Sequence, residues 1–317
     1  MKRTKSNSAW LLLWLVVAGG CGAAEGGGGG ELTDRAVRAV ATTSIVADLV
    51  REVGGDRVQV TGLMGPGVDP HLYRASEGDV RRMMDADIVF FNGLHLEGRM
   101  GELFEEMGSA GRPTVAVTDG IDPSLLLTPP EFEGAYDPHV WMDVSLWRRA
   151  VDRVAEALTE LDPDHAAGYR ERAEAYSSRL EELDGAVRER IAKVPPEQRV
   201  LVTAHDAFNY FGRAYGFEVR GLQGISTVAE AGTADVQELA RFVAERQIPA
   251  LFIETSVSAR SIEAVLAAVQ ARGFDVRLGG NLYSDALGGP GSGAETYEGM
   301  IRTNVETIVS ALLGEIE

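Results

Sequence analysis

The chain has 317 residues, 45% hydrophobic and 25% charged, with a formal net charge of −18. This composition is globular, and the length suits about two domains. So acidic a balance argues against a nucleic-acid partner, and the single cysteine, Cys21, excludes an intramolecular disulfide and a multi-thiolate zinc site.

In chain order, Lys2, Arg3 and Lys5 precede an apolar run from Ala9 to Ala18, then Gly19-Gly20-Cys21. A basic start, a short apolar stretch and small residues make an export signal, too short to span a membrane stably. Cysteine after two glycines resembles the lipobox of bacterial lipoproteins, although Ala18 stands where leucine is usual. That resemblance implies a signal over residues 1–21 with lipidated Cys21, and residues 22–37, with Gly26 to Gly30, read as a flexible tether. The expected location is the outer face of the cytoplasmic membrane or the periplasm.

The folded body begins near Arg38. Val37 to Thr43 reads as a strand, Ser44 as a helix cap, Arg57 to Leu63 as a second strand and Ile88 to Gly93 as a third, with helices between them. A short strand at Val115 to Val117 and a loop from Ile121 to Tyr136 follow. Strands alternating with helices predict an α/β fold with parallel sheets. Asp143 precedes a helix ending near Leu161, and Asp162-Pro163 then signals a new one. Asp164 to Ala192 contains no proline and keeps apolar residues at helical spacing; its 29 residues would span about 43 Å. The alternation resumes with a strand ending at His205, a helix from Ala207 to Tyr215, and a strand from Ala250 to Glu254. A short strand at Val276 to Leu278 and a last helix from Thr296 to Leu313 complete the chain. The organisation predicted is an N-terminal lobe over 38–163, a linking helix over 164–194 and a C-terminal lobe over 195–317.

Five histidines occur: His71, His95, His139, His165 and His205. Two follow the same dipeptide, at Asp69-Pro70-His71 and Asp137-Pro138-His139, and proline stiffens each turn. Two stiff loops sharing this tripeptide suggest one purpose, metal ligation, although both precede the long helix and so belong to one lobe. A lone histidine is ordinarily structural or exposed; the repeat lifts His71 and His139 above that expectation. His205 gains from its place at the carboxyl end of a strand, where open α/β sheets bind ligands. Three imidazoles with a carboxylate suit Zn²⁺ or Mn²⁺. Spacing alone does not rank Asp285 against Glu254. His95 and His165 lack a paired motif and are set aside. Asp69, Asp137 and Asp143 are candidates either to hydrogen-bond ligand imidazoles or to form turns and caps. Trp141 and Tyr210 read as cleft packing.

These segments, with Asn92-Gly93-Leu94, His205-Asp206-Ala207-Phe208-Asn209-Tyr210-Phe211, Gly224-Ile225-Ser226-Thr227, Phe252-Ile253-Glu254-Thr255 and Leu282-Tyr283-Ser284-Asp285-Ala286-Leu287-Gly288, resemble the zinc- and manganese-uptake branch of ABC-transporter solute-binding proteins. The resemblance implies two α/β lobes joined by one long helix, with the metal in the cleft between them. It implies the ligands His71, His139, His205 and Asp285, with Glu254 as a cleft residue. It also implies a membrane permease as partner, and a monomer is expected. Arg74-Ala75-Ser76 replaces a segment that usually holds proline, and Ile121 to Tyr136 has Glu131 and Glu133 but no histidine, unlike the histidine-rich loop of many zinc-specific members. A histidine as third ligand favours zinc over manganese. The expected function is metal capture for import, weakening below about pH 6 as imidazoles protonate. The alternatives are a zinc hydrolase with Glu254 as base, or an exported adhesion module.

Overall fold

A computed structural model describes residues 32, 35–132 and 134–315. Cys21, the export signal, most of the tether and Glu133 lie outside the described residues. The first half contains β1 (Val37–Ala41), α1 (Ser44–Gly54), β2 (Val58–Gly62), α2 (Glu77–Asp85), β3 (Ile88–Phe91), α3 (Gly101–Ser109), β4 (Thr114–Ala116) and α4 (Val144–Leu161). Its four strands form one parallel sheet in the order β2-β1-β3-β4. The chain reverses its direction across the sheet at β1, so loops at the carboxyl ends diverge on either side of that point and leave a crevice. His71 lies in the loop after β2 and His139 in the loop after β4.

After α5 (Ala166–Ile191) the second half supplies β5 (Val200–His205), α6 (Asn209–Tyr215), β6 (Glu218–Gln223), α7 (Thr233–Arg246), β7 (Ala250–Glu254), α8 (Arg260–Gln270), β8 (Arg277–Leu282) and α9 (Tyr297–Leu313). Parallel pairs β5-β6 and β7-β8 stand side by side through β5 and β7. The fold is α/β with parallel sheets, as the alternation predicts.

Helix α5 buries Tyr169, Ala173, Tyr176, Leu180, Leu183, Val187 and Ile191, a stripe at steps of three and four along its whole length. Its 26 residues span about 39 Å. The expected first turn, Pro163–His165, is instead a separate 3₁₀ turn. The helix is free of proline but holds Gly168 and Gly185. It packs on α1, α4 and α9, and one continuous apolar core runs from Val37 in the first half to Leu312 in the last helix. On its charged side Arg179 pairs with Glu52 of α1 and, at 2.9 Å, with Glu298 of α9.

Three local expectations differ from the structure. Thr43, not Ser44, caps α1, its hydroxyl accepting from Val46 N–H at 3.1 Å, while Ser44 Oγ accepts from Leu287 N–H at 2.9 Å. Strand β6 escapes the sequence reading because its mixed exposure and polar residues leave no apolar run. Strand β8 extends to Leu282 through Gly279 and Gly280, which lack strand propensity; Gly280 pairs with Phe252 of β7, and Gly279 falls at the irregularity in the register.

Candidate metal centre

Both Asp-Pro-His tripeptides fold into the same turn. The carboxylate Oδ1 of Asp69 accepts from His71 N–H at 2.8 Å, and that of Asp137 from His139 N–H at 3.0 Å. An aspartate accepting from the backbone two residues on is a local turn that needs no tertiary help. Beyond this the two diverge. Asp137 Oδ1 also lies 2.8 Å from His139 Nδ1, which fixes that ring with Nε2 facing inward. Asp69 holds only the backbone of His71. The second turn is tied to the sheet by Asn92, whose amide donates to Pro138 O at 3.1 Å. Gly93 is required beside it: its φ is +90°, and a Cβ would lie 2.7 Å from Thr118 Oγ1.

In the second half His205 is the last residue of β5 and Glu254 the last of β7, while Asp285 follows β8 by three residues. Glu254 Oε1 accepts from His205 N–H at 2.9 Å, and its Oε2 stands 2.6 Å from His205 Nδ1. Ser256 Oγ donates to Asp285 Oδ2 at 3.0 Å, and Trp141 Nε1 donates to Ser284 O at 2.8 Å.

These elements bring His71, His139, His205 and Asp285 together, each offering a ligand atom within 4.8 Å of the others. His71 Nε2 lies 3.3 Å from His139 Nε2, and Asp285 places Oδ1 3.4 Å from His139 Nε2 and Oδ2 3.4 Å from His205 Nε2. All four are buried, none more than 4% exposed. His205 Nε2 and Asp285 Oδ1 have no hydrogen-bond partner although buried, which is costly unless a ligand satisfies them. The donor set is three imidazole nitrogens with one carboxylate able to offer both oxygens, suited to a borderline divalent ion.

The electrostatics divide the histidines. Burial pushes His71 down to about 3, against the pull of Asp285. Burial also opposes charge on His139 and His205, but Asp137 and Asp285 outweigh it at the first, and Glu254 and Asp285 at the second, so both lie above the usual histidine value. Burial disfavours charge on Asp285, yet His205 and His139 hold its carboxyl well below the usual range. Without metal, therefore, His139 and His205 hold a second proton to higher pH than an ordinary histidine, Asp285 stays ionised to lower pH than an ordinary carboxyl, and His71 is neutral down to about 3.

The remaining candidates fall elsewhere. Asp143 contacts no imidazole; its Oδ1 caps α4 through Ser145 N–H and Leu146 N–H, and its Oδ2 lies 3.6 Å from Arg213. Asp69, as above, serves backbone rather than ring. Trp141 is buried with its ring edge-on to His139, and Tyr210 donates to Asp137 O at 2.9 Å, so both support the site. His95 is exposed, and His165 stands just before α5 with its Nδ1 3.1 Å from Asp162 Oδ1 and no cap bond to the helix. Sequence reasoning gave no role to Ser256, Asn209 or Thr227. Asn209 and Thr227 lie within the family-like segments, but nothing in their spacing marks them, and Ser256 carries no signal.

Parallel sheets whose carboxyl ends enclose buried nitrogen and oxygen donors define a cation-binding α/β protein. The family model ZnuA, zinc-uptake complex component A, periplasmic, matches residues 39–311. The zinc-binding protein TroA of Treponema pallidum is 50% identical over 273 residues, 86% of this chain and 88% of that protein. The manganese-binding lipoprotein MntA of Bacillus subtilis is 47% identical over 294 residues, 92% of this chain and 94% of that one. The solved structure of T. pallidum TroA superposes with a TM-score of 0.85 at 49% identity, covering 87% of this chain and 99% of its own. The chain belongs to the ZnuA family of metal-binding solute-binding proteins.

Proposed function

We propose that this protein captures one divalent transition metal with His71, His139, His205 and Asp285 and presents it to the membrane permease of an ABC importer. It is a binding protein, not an enzyme. The observation that carries the ligand assignment is the convergence of three imidazoles and one carboxylate in a buried site, where His205 Nε2 and Asp285 Oδ1 are among the polar atoms with no hydrogen-bond partner. A hydrolase needs an open metal position and a base facing it. Here a carboxylate fills the fourth position, and Glu254 sits behind His205 on its Nδ1 side, engaged with that residue's backbone.

Residues 38–163 and 195–317 act as the two jaws, with 164–194 joining them. The continuous core along α5 and the two-sided pairing of Arg179 favour a stiff connection and limited closure. The mature chain is a monomer held outside the cytoplasmic membrane through lipid on Cys21, as relatives named lipoproteins suggest. Zinc is favoured over manganese because three imidazoles suit the softer ion. Relatives named for zinc, manganese and iron do not choose between them. Competitive titration with Zn²⁺ and Mn²⁺, on wild type and His205→Glu, tests this. Wild type should prefer Zn²⁺ and the variant should shift toward Mn²⁺; a wild-type preference for Mn²⁺ overturns the assignment.

A further inference from the structure

The aspartates of the two Asp-Pro-His turns share a second feature that the ligand set does not use. Each spends Oδ1 on its own histidine and turns Oδ2 toward the opposite half of the molecule. Asp137 Oδ2 accepts from Asn209 Nδ2 at 3.2 Å, and Asp69 Oδ2 accepts from Thr227 Oγ1 at 2.6 Å. The two differ in setting. Asp137 is fully buried and touches the ring of His139 directly, whereas Asp69 is half-buried at the rim. Thr227 is itself buried, between half-buried Ser226 and exposed Val228, in the loop between β6 and α7. On the other side of the bond, His71 is buried and Leu72 exposed, so the contact stands at the boundary between solvent and the site. The same loop of the first half meets the second half once more, at Gly67, where an added Cβ would lie 3.2 Å from Thr255 O.

We infer that the Asp69–Thr227 hydrogen bond is a clasp that controls metal release: one carboxylate holds the His71 loop and, through Thr227, the opposite half over the site. Thr227 is a positioning residue; it touches no ligand atom. A hydroxyl donating to a carboxylate at this distance is among the stronger hydrogen bonds, and it exists only while the halves are together. Breaking it leaves the His71 turn intact, because Oδ1 still accepts from His71 N–H. It leaves no buried charge stranded either, because half-buried Asp69 can turn its free oxygen to water. Its loss therefore acts on the opening of the halves and so on the rate at which metal leaves.

This inference rests on the metal-capture reading, and the test separates the two. Zn²⁺-loaded wild type, Thr227→Val, Thr227→Ala and Thr227→Ser are mixed with excess chromogenic chelator, at concentrations where the rate no longer depends on it. Val and Ala, which lack the hydroxyl, should release Zn²⁺ roughly ten-fold faster or more, as expected for a lost hydrogen bond to a charged group. Ser, which keeps the hydroxyl, should release at close to the wild-type rate. Release should follow the presence of the hydroxyl rather than the thermal midpoint of the metal-free variants, whereas with a merely structural role for Thr227 the two would track. Unchanged release in Val and Ala, or Ser as fast as Val, overturns the clasp. Wild type that binds neither Zn²⁺ nor Mn²⁺ overturns the metal-capture reading instead.

Discussion

Glu254→Gln tests how a residue that does not ligate the metal sets its affinity. The carboxylate accepts from His205 N–H at 2.9 Å and stands 2.6 Å from Nδ1, both groups fully buried. It favours the proton on Nδ1 and leaves Nε2 free to ligate. Glutamine keeps the shape and, with its amide oxygen on the backbone N–H, turns its NH₂ toward Nδ1. That favours the tautomer carrying the proton on Nε2, the atom the metal needs. Loss of such a partner costs roughly 10–100-fold in affinity, about 1.4–2.7 kcal/mol. The pH dependence adds a second readout. Against the opposing effect of burial, Glu254 and Asp285 hold His205 above its usual value, so the metal-free protein keeps a proton there that binding must expel. Wild-type affinity therefore falls as pH drops through that raised value, earlier than the onset near pH 6 that an ordinary histidine implies. Without the Glu254 charge the proton leaves more easily, so the fall begins at lower pH and the two curves converge on acidification. Isothermal titration with Zn²⁺ from pH 8 to pH 6 measures both effects. Affinities equal within about two-fold at pH 8 would refute the second-layer role, and parallel pH curves would refute the charge argument.

Asp285→Asn should weaken metal binding by at least a hundred-fold, on the order of 3 kcal/mol or more, since it removes the buried countercharge to both raised histidines; equilibrium competition against a chelator of known affinity reads this. His71, held neutral down to about 3, contributes the opposite way to its neighbours. The unfolded chain takes up its proton near pH 6.5 while the folded one does not, so stability is lost as pH falls from about 6.5 toward 3. His71→Ala should flatten that acid limb in thermal unfolding of metal-free protein, and an unchanged limb would show that the ring protonates in the fold. The raised histidines run the other way: their contribution is fully present below about pH 6.5 and is lost as pH rises through their folded values.

The α/β class, the long helix and the three histidine candidates were legible because each leaves a short-range mark, whereas Asp285 was singled out over Glu254 only by the family resemblance. Alternating apolar runs mark β1, β3, β5 and β7, and an uninterrupted apolar stripe marks α5. His205 sits at the end of an apolar strand, and His71 and His139 are marked instead by their repeated tripeptide in longer loops. Strand β6 was invisible for the opposite reason: VRGLQ has no pattern of its own and becomes a strand by pairing with β5. Asp143 resembled a partner for a ligand histidine in the sequence, but its nearest unsatisfied donors were the first amides of α4, and local capping won.

The sequence by itself determined the two Asp-Pro-His turns, since an aspartate bonding two residues on needs only those residues and the stiff proline between them. What each turn does with its second oxygen was decided by tertiary structure alone, across 158 residues to Thr227 and 72 to Asn209. The same holds for Glu254 behind His205 and Ser256 against Asp285, contacts made only when the ends of separate strands of the second half meet in one buried volume. There desolvation makes every unpaired charge costly, so the residues that neutralise one another are chosen by proximity in space rather than along the chain.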